Sequence, residues 1–232
     1  MEQQFQYYAF ISYKREDEKW AKWLQDRLRW YKLPSKLCRQ ITRLPKKVWP
    51  VFRDNTDLDS GRLEENIRHE LERSHYLIVI CSPEAARSPW VGKEVKYFAT
   101  LHGADKIIPF VVSGIPYSND IETECIHEQI KAISQEELLA INVREEGIGS
   151  FAMKKKRAFI RVVARLLDIK FNTLWQPYER ILRIRKWSTG IGVVLFLFVL
   201  FMLWDYYRTK NEYFTDYVDR WGIPEGVIEV SA

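Results

Sequence analysis

A chain of 232 residues has room for one domain of ordinary size with appendages, and 47% apolar with 29% charged residues exclude wholesale disorder. Three cysteines (Cys38, Cys81 and Cys125), with no Cys-x-x-Cys pair, exclude a disulfide framework and fit reduced thiols in a cytosolic compartment. The formal net charge of +5 is modest, and its cations crowd one side of an apolar stretch, so it does not call for nucleic acid.

In chain order, residues 6–13 are rich in aromatic and β-branched types and predict a first strand. Trp20, Trp23, Leu24, Leu28 and Tyr31 space out an amphipathic helix over 16–31, with acids in its first turn. Residues 33–47 form a basic, proline-punctuated connection without an assignment. Residues 48–52 predict a short second strand with Pro50 at its end or edge. A turn-rich loop over 53–61 leads to a second helix marked by Leu63, Ile67 and Leu71. The apolar run 76–81 predicts a third strand. Ser88 and Pro89 then read as N-cap and first helical residue of a helix running to Leu101.

Residues 106–112 predict a fourth strand, 113–137 a loop with a weak helix, and 138–143 a fifth strand. A helix capped by Ser150 runs to Leu167. Strands alternating with helices predict a flavodoxin-like parallel five-stranded sheet with helices on both faces. In the order 2-1-3-4-5, ligands bind beyond the C-terminal ends of strands one and three. Ser12, Tyr13, the 53–61 loop and the start of the Ser88–Leu101 helix would line that crevice.

One residue of that helix is out of place. With Trp90 at zero and a step of about 100° per residue, Trp90, Val91, Val95, Tyr97, Phe98 and Leu101 cover one broad arc. Gly92, Lys93 and Lys96 lie opposite, and Glu94 falls at about 40°, in the middle of the apolar arc. A carboxylate on apolar surface is costly unless it is paired, hydrogen-bonded or lining a cleft. It is either an acid at the edge of the core held by an amide or arginine, or part of a functional cleft.

Residues 187–204 carry no charge and are almost wholly apolar, enough for a helix of about 27 Å against the ~30 Å hydrocarbon core. Trp187 at one end and Trp204, Tyr206 and Tyr207 at the other fit interface belts. The stretch predicts a transmembrane helix. Arg180, Arg183, Arg185 and Lys186 before it place residues 1–186 in the cytosol by the positive-inside rule. Residues 169–186 form a basic amphipathic juxtamembrane segment, and the N-terminus lacks the features of a signal peptide. The tail, 205–232, would lie outside the membrane; it is too short to fold alone and reads as cut short of an outer module.

Three boxes in order then resemble one family. Phe10-Ile11-Ser12-Tyr13 resembles the opening box of the Toll/interleukin-1 receptor (TIR) domain, and Arg53-Asp54 the start of its loop after the second strand. Cys81-Ser82 with Ser88-x-Trp90-x-x-x-Glu94 resembles its third-strand and following-helix motif. The match covers residues 6 to about 168, within a domain placed at 1–168. Departures are Val91 where cysteine is common, a 53–61 loop without the usual proline, and the long 33–47 connection.

The resemblance implies hydrolysis of the nicotinamide–ribose bond of NAD+, with cyclisation of the product in some members, and implies that Glu94 is the essential residue. It also implies activation by oligomerisation through contacts between TIR domains, often in bacterial antiphage defence. NAD+ would be substrate, with no cofactor and no metal. Partners would be other copies of the chain and the lipid bilayer of the cell inner membrane, with no nucleic acid. Glu94 is expected to act beside Trp90, Phe10 or Tyr13 to stack on nicotinamide, and Ser12, Arg53 and Asp54 to contact ribose or phosphate; Trp90 taken alone reads as core. For Phe10, Ser12, Tyr13, Arg53 and Asp54 packing, capping or a surface ion pair are the plainer alternatives. For the whole domain the alternative is a non-catalytic scaffold that recruits partners through the 53–61 loop.

Other motifs fall away. The Asp57–Gly61 stretch is a poor calcium loop, with Arg68 where the bidentate glutamate belongs. The four histidines lack ligand spacing, and neither a dinucleotide fingerprint nor a P-loop occurs. Lys154–Arg157 fits a solvated helix face near a membrane.

Overall fold

The computed structural model describes residues 5–41, 44–45, 47–53, 60–133, 139–144 and 150–222. The chain divides into two compact units, Met1–Trp175 and Gln176–Ala232.

Among the described residues of the first unit, strands β1 (Tyr7–Ser12), β2 (Val51–Arg53), β3 (Ser74–Cys81), β4 (Ile107–Val111) and β5 (Ile141–Asn142) form a parallel sheet. Its order is β2-β1-β3-β4-β5, the flavodoxin-like order expected from the alternation of elements. β1 feeds β2 on one side, and the chain then crosses back over β1 to β3. The C-terminal ends of β1 and β3 therefore form the topological switch point, where open α/β sheets bind ligands.

The pleat divides the core into two layers. Phe10, Leu77, Val79, Cys81, Ile107 and Val111 face helices α3 (Ser60–Glu72), α5 (Pro89–His102) and α6 (Glu128–Ile133), packing with Leu71, Val91, Val95, Phe98 and Ile130. On the other face lie α1 (Glu18–Trp30) and α7 (Phe151–Leu166). There Trp23 stacks on Phe110 at 6.4 Å and meets Phe159 edge-on at 6.2 Å. A sheet buried on both faces explains why β3 and β4 read as continuous apolar runs instead of alternating.

Several elements are shorter than, or absent from, the sequence reading. The unassigned 33–47 connection contains α2 (Ser35–Gln40), and α4 (Pro83–Ala86) is one turn inserted between β3 and α5. β2 starts only at Val51, because Pro50 has no N–H to donate, although its carbonyl accepts from Tyr8 at 2.7 Å. The fifth strand keeps two residues, and the weak helix within 113–137 is α6.

Among the described residues, the second unit is helical from its start to Trp221 as part of α8 (Phe171–Trp221), beyond the apolar stretch in both directions. Within it Ile191–Lys210, 20 residues, is long and apolar enough to cross a membrane. Its apolar side chains from Val193 to Trp204 are all exposed. This stretch overlaps the 187–204 run and takes in Asp205, Arg208 and Lys210.

Candidate active site

Strand parity decides which side chains can meet at the switch point. Phe10 and Ser12 share one face of β1, and Ser12, the last residue of the strand, is 1% exposed. Its hydroxyl donates a hydrogen bond to Glu94 Oε2. That bond brings the misplaced acid of α5 to the C-terminal end of β1. Glu94 is half-buried, and Trp90, one turn earlier on α5, is 39% exposed. The crevice expected from topology therefore holds a partly desolvated carboxylate with an aromatic ring beside it.

The buried arc of α5 differs from the one read on the wheel. Val91, Gly92, Val95 and Phe98 are buried, whereas Leu101 is 45% exposed and Tyr97 is half-buried. The core-facing direction is thus rotated by roughly one residue step from Trp90. Glu94 sits at the edge of the buried arc and not in its middle, and Gly92, read as facing away, is enclosed. The wheel counted Trp90, Tyr97 and Leu101 as core; in the fold Trp90 and Tyr97 face α3 instead. Between α3 and α5 runs a groove of about 310 Å³ lined by Trp90, Lys93, Glu94, Lys96, Tyr97 and Thr100 of α5 and Ile67, Arg68 and Leu71 of α3. Sequence reasoning missed Arg68, Lys93, Lys96 and Tyr97. The signal was present in the spacing 90, 93, 94, 97, 100, one face of a helix, but only the packing of α3 makes that face a cleft.

The remaining candidates separate. Phe10 is fully buried and stacked on Phe52, with centroids 5.2 Å apart, so its ring belongs to the core and presents no face to the crevice. Tyr13 and Arg53 pair with each other and with α1, on the opposite face of the sheet from Glu94. The Arg53 side chain is 7% exposed and donates to Tyr13 Oη at 3.1 Å, Gln25 Oε1 at 3.1 Å and Glu18 Oε1 at 3.2 Å. Those acceptors hold the guanidinium towards α1. Asp54, with the rest of 54–59, lies outside the described residues.

Two further contacts brace the helices that follow β3, one at α4 and one at α5. Asp17, 8% exposed, accepts a 2.5 Å hydrogen bond from Ser82 Oγ, which itself accepts from Ala85 N–H at 3.0 Å as the N-cap of α4. Burial pushes the Asp17 carboxyl above its usual range, and the Ser82 bond opposes that shift. His127, just ahead of α6, grips the start of α5. Its Nδ1 accepts from Gln129 N–H at 3.0 Å, so the proton is on Nε2, which donates to Ser88 carbonyl oxygen at 3.1 Å. Burial lowers the His127 pKa and keeps the ring neutral. Gly92 makes room for it: a Cβ there would meet His127 Cε1 at 2.5 Å.

Burial raises the Cys81 thiol well above its usual pKa and pushes Cys125 up to about 12, so neither is a nucleophile. Among the described residues no group of three or more histidine, cysteine or acidic side chains stands ready to hold a metal ion.

Residues 9–146 match a family model described as the TIR domain. Over 110 residues the chain is 36% identical to NAD(+) hydrolase ApTIR of Actinoplanes sp., a match spanning 47% of this chain and 14% of that relative's length. Among solved structures, the TIR domains of the activated Roq1 resistosome recognising the pathogen effector XopQ superpose with a TM-score of 0.43 at 14% identity. That superposition covers 66% of this chain and 98% of the other.

Proposed function

The chain belongs to the TIR-domain family, and we propose that its crevice at Glu94 hydrolyses the nicotinamide–ribose bond of NAD+. The observation that carries this reading is the Ser12–Glu94 hydrogen bond. It holds one half-buried carboxylate at the switch point, beside an exposed tryptophan and an open groove. The Actinoplanes relative is an NAD(+) hydrolase, which supports the same chemistry here.

One carboxylate suffices for this bond. The nicotinamide nitrogen is cationic, so when the bond to C1′ breaks the electron pair passes to the ring and the leaving group departs neutral without a general acid. The two carboxyl groups of an ordinary glycosidase are therefore not needed. Positive charge develops on the ribose, and Glu94 stabilises it in a partly desolvated site where charge interactions are strong. Water attacks C1′, a proton is released, and ADP-ribose leaves. Ser12 fixes one carboxylate oxygen, so the field is oriented before substrate arrives. Trp90 offers its ring to nicotinamide.

In this reading the protein is a single-pass protein of a bacterial inner membrane, with the TIR domain in the cytosol and the apolar stretch of α8 as anchor. Clustering of TIR domains switches on NAD+ depletion, as in antiphage defence. The test is NAD+ turnover by the full chain at high density on vesicles, wild type against Glu94→Ala, with linear and cyclic products separated chromatographically. Turnover abolished in a folded mutant supports the reading. Equal turnover removes Glu94 from the mechanism, and no turnover by the clustered wild type favours the scaffold.

A further inference from the structure

The groove between α3 and α5 extends beyond what cleavage at the ribose requires. From Trp90 to Thr100 the lining follows one face of α5 for about 15 Å, at the rise of 1.5 Å per residue. Its volume, about 310 Å³, is at the lower end of small-molecule sites. Its charge is mixed, with Lys93 over Trp90 beside Glu94 and Lys96 and Arg68 further along. Glu94 stands at the switch-point end with Ser12, and three cations, Arg68, Lys93 and Lys96, share the lining with it. A carboxylate with cations ranged along the same face is unsuited to an apolar ligand and matches a molecule whose cationic head is followed by an anionic segment.

The cations are braced by rings. The Lys93 ammonium lies 4.8 Å from the centroid of the Trp90 ring, and the Arg68 guanidinium 5.4 Å from that of Tyr97. Tyr97 is itself anchored, its hydroxyl donating to Glu72 Oε1 at 2.5 Å. Arg68 is thus a planar donor fork stacked on a fixed ring and reaching the groove from the α3 side. Lys93 and Lys96 reach it from the α5 side. Anions held between a fork and ammonium groups are the usual arrangement for phosphate oxygens.

Resting on the NAD+ reading above, we propose that the α3–α5 groove is the subsite for the pyrophosphate of the substrate. In it Arg68 and Lys96 bind phosphate oxygens, and Lys93 bridges that subsite to the Trp90–Glu94 end. Nicotinamide riboside then engages only the Glu94 end, and the diphosphate supplies the rest of the affinity. The groove selects dinucleotides over nucleosides by charge, not by contacts to adenine.

The test is titration of the full chain in detergent with ADP-ribose, which carries the pyrophosphate, lacks nicotinamide and needs no turnover. Arg68→Gln and Lys96→Gln are each expected to weaken ADP-ribose binding by about tenfold or more, with Arg68→Lys in between. Lys22→Gln, which removes a charge from exposed α1 on the opposite face of the sheet, is expected to bind as wild type does. In turnover, Arg68→Gln is expected to raise KM for NAD+ far more than KM for nicotinamide riboside. Unchanged ADP-ribose affinity in Arg68→Gln and Lys96→Gln would overturn the proposal. So would equal losses in the Lys22 control, equal KM effects on both substrates, or no ADP-ribose binding by wild type. Inorganic pyrophosphate that competes as strongly as ADP-ribose would show a generic anion patch and overturn the dinucleotide assignment. A wild type that binds ADP-ribose but cleaves no NAD+ when clustered would refute the hydrolase reading and leave the titration to judge the groove.

Discussion

Ser12 Oγ donates to Glu94 Oε2 across 82 positions of sequence, tying the last residue of β1 to the second turn of α5. Both ends of this bond are held by the core: Ser12 by its place in the sheet, Glu94 by Val91, Val95 and Phe98 beneath it. The acid is therefore aimed by the fold and not by its own rotamer preferences.

Replacing Ser12 by alanine removes that aim without removing the charge. The carboxylate loses a partner in a half-buried site, a change that costs about 1–3 kcal/mol where it is not repaired. The expected outcome is a fall in kcat of roughly ten- to a hundredfold with KM for NAD+ little altered. Thermal unfolding and steady-state kinetics on the same preparation check it, and Ser12→Thr should recover part of the loss.

Trp90 distinguishes a site from a core. The residue is 39% exposed and lies under Lys93, so Trp90→Ala should cost about 1–3 kcal/mol of stability, short of the roughly 3–5 kcal/mol of a fully buried tryptophan. Stacking on an aromatic ligand is worth roughly 1–3 kcal/mol, so NAD+ turnover should fall by roughly five- to a hundredfold. A large loss of melting temperature in this variant would assign Trp90 to packing instead.

Gly92→Ala should be destabilising although alanine is the better helix former. The added Cβ would meet His127 Nε2 at 2.8 Å, and that ring is pinned between Ser88 and Gln129. Relief needs a shift of α6 against α5, at a cost of about 1–3 kcal/mol. In a double-mutant cycle, Gly92→Ala combined with His127→Ala should be less destabilised than the sum of the single changes.

Stability should fall on mild acidification. Burial is the largest influence on His75, His102 and His127, and it lowers all three pKa values. Unfolded histidines titrate near pH 6.5, so below that pH the unfolded chain takes up protons before the folded one does. The stabilisation is fully present above about pH 6.5 and is lost as pH falls from there towards the folded-state values. For His127, protonation also removes the Nδ1 acceptor that Gln129 N–H uses. Asp17 acts with the opposite sign further down, since burial raises its pKa and protonation relieves that cost. Melting temperatures between pH 7.5 and 5.5 check the trend, and His127→Gln should flatten it.

The parallel sheet, its order and the presence of an out-of-place acid, Glu94, on the helix after β3 were legible without coordinates, though its exact place on the buried arc was not. Periodicity 2 and periodicity 3.6 are local properties, and alternating strands and helices leave few right-handed topologies open. The short α4 and α2 were not legible, because helices of one or two turns carry no measurable periodicity. The split of Ser12 from Tyr13 and Arg53 onto opposite faces follows from the pleat, and the aromatic character of Tyr13 obscured it.

By itself, the sequence determined the βα alternation, the apolar stretch of α8 and a lone acid among aromatics on one helix, each through the pattern of neighbouring residues. Only the tertiary structure decided which arc of α5 is buried, that Gly92 exists to admit His127, and that Arg68 faces Lys96 across a groove. These relations join residues far apart in the chain, and their geometry is set by how α3, α5 and α6 pack on the sheet. No local pattern records that packing, since any amphipathic helix can be rotated by a residue step at small cost until its neighbours lock it.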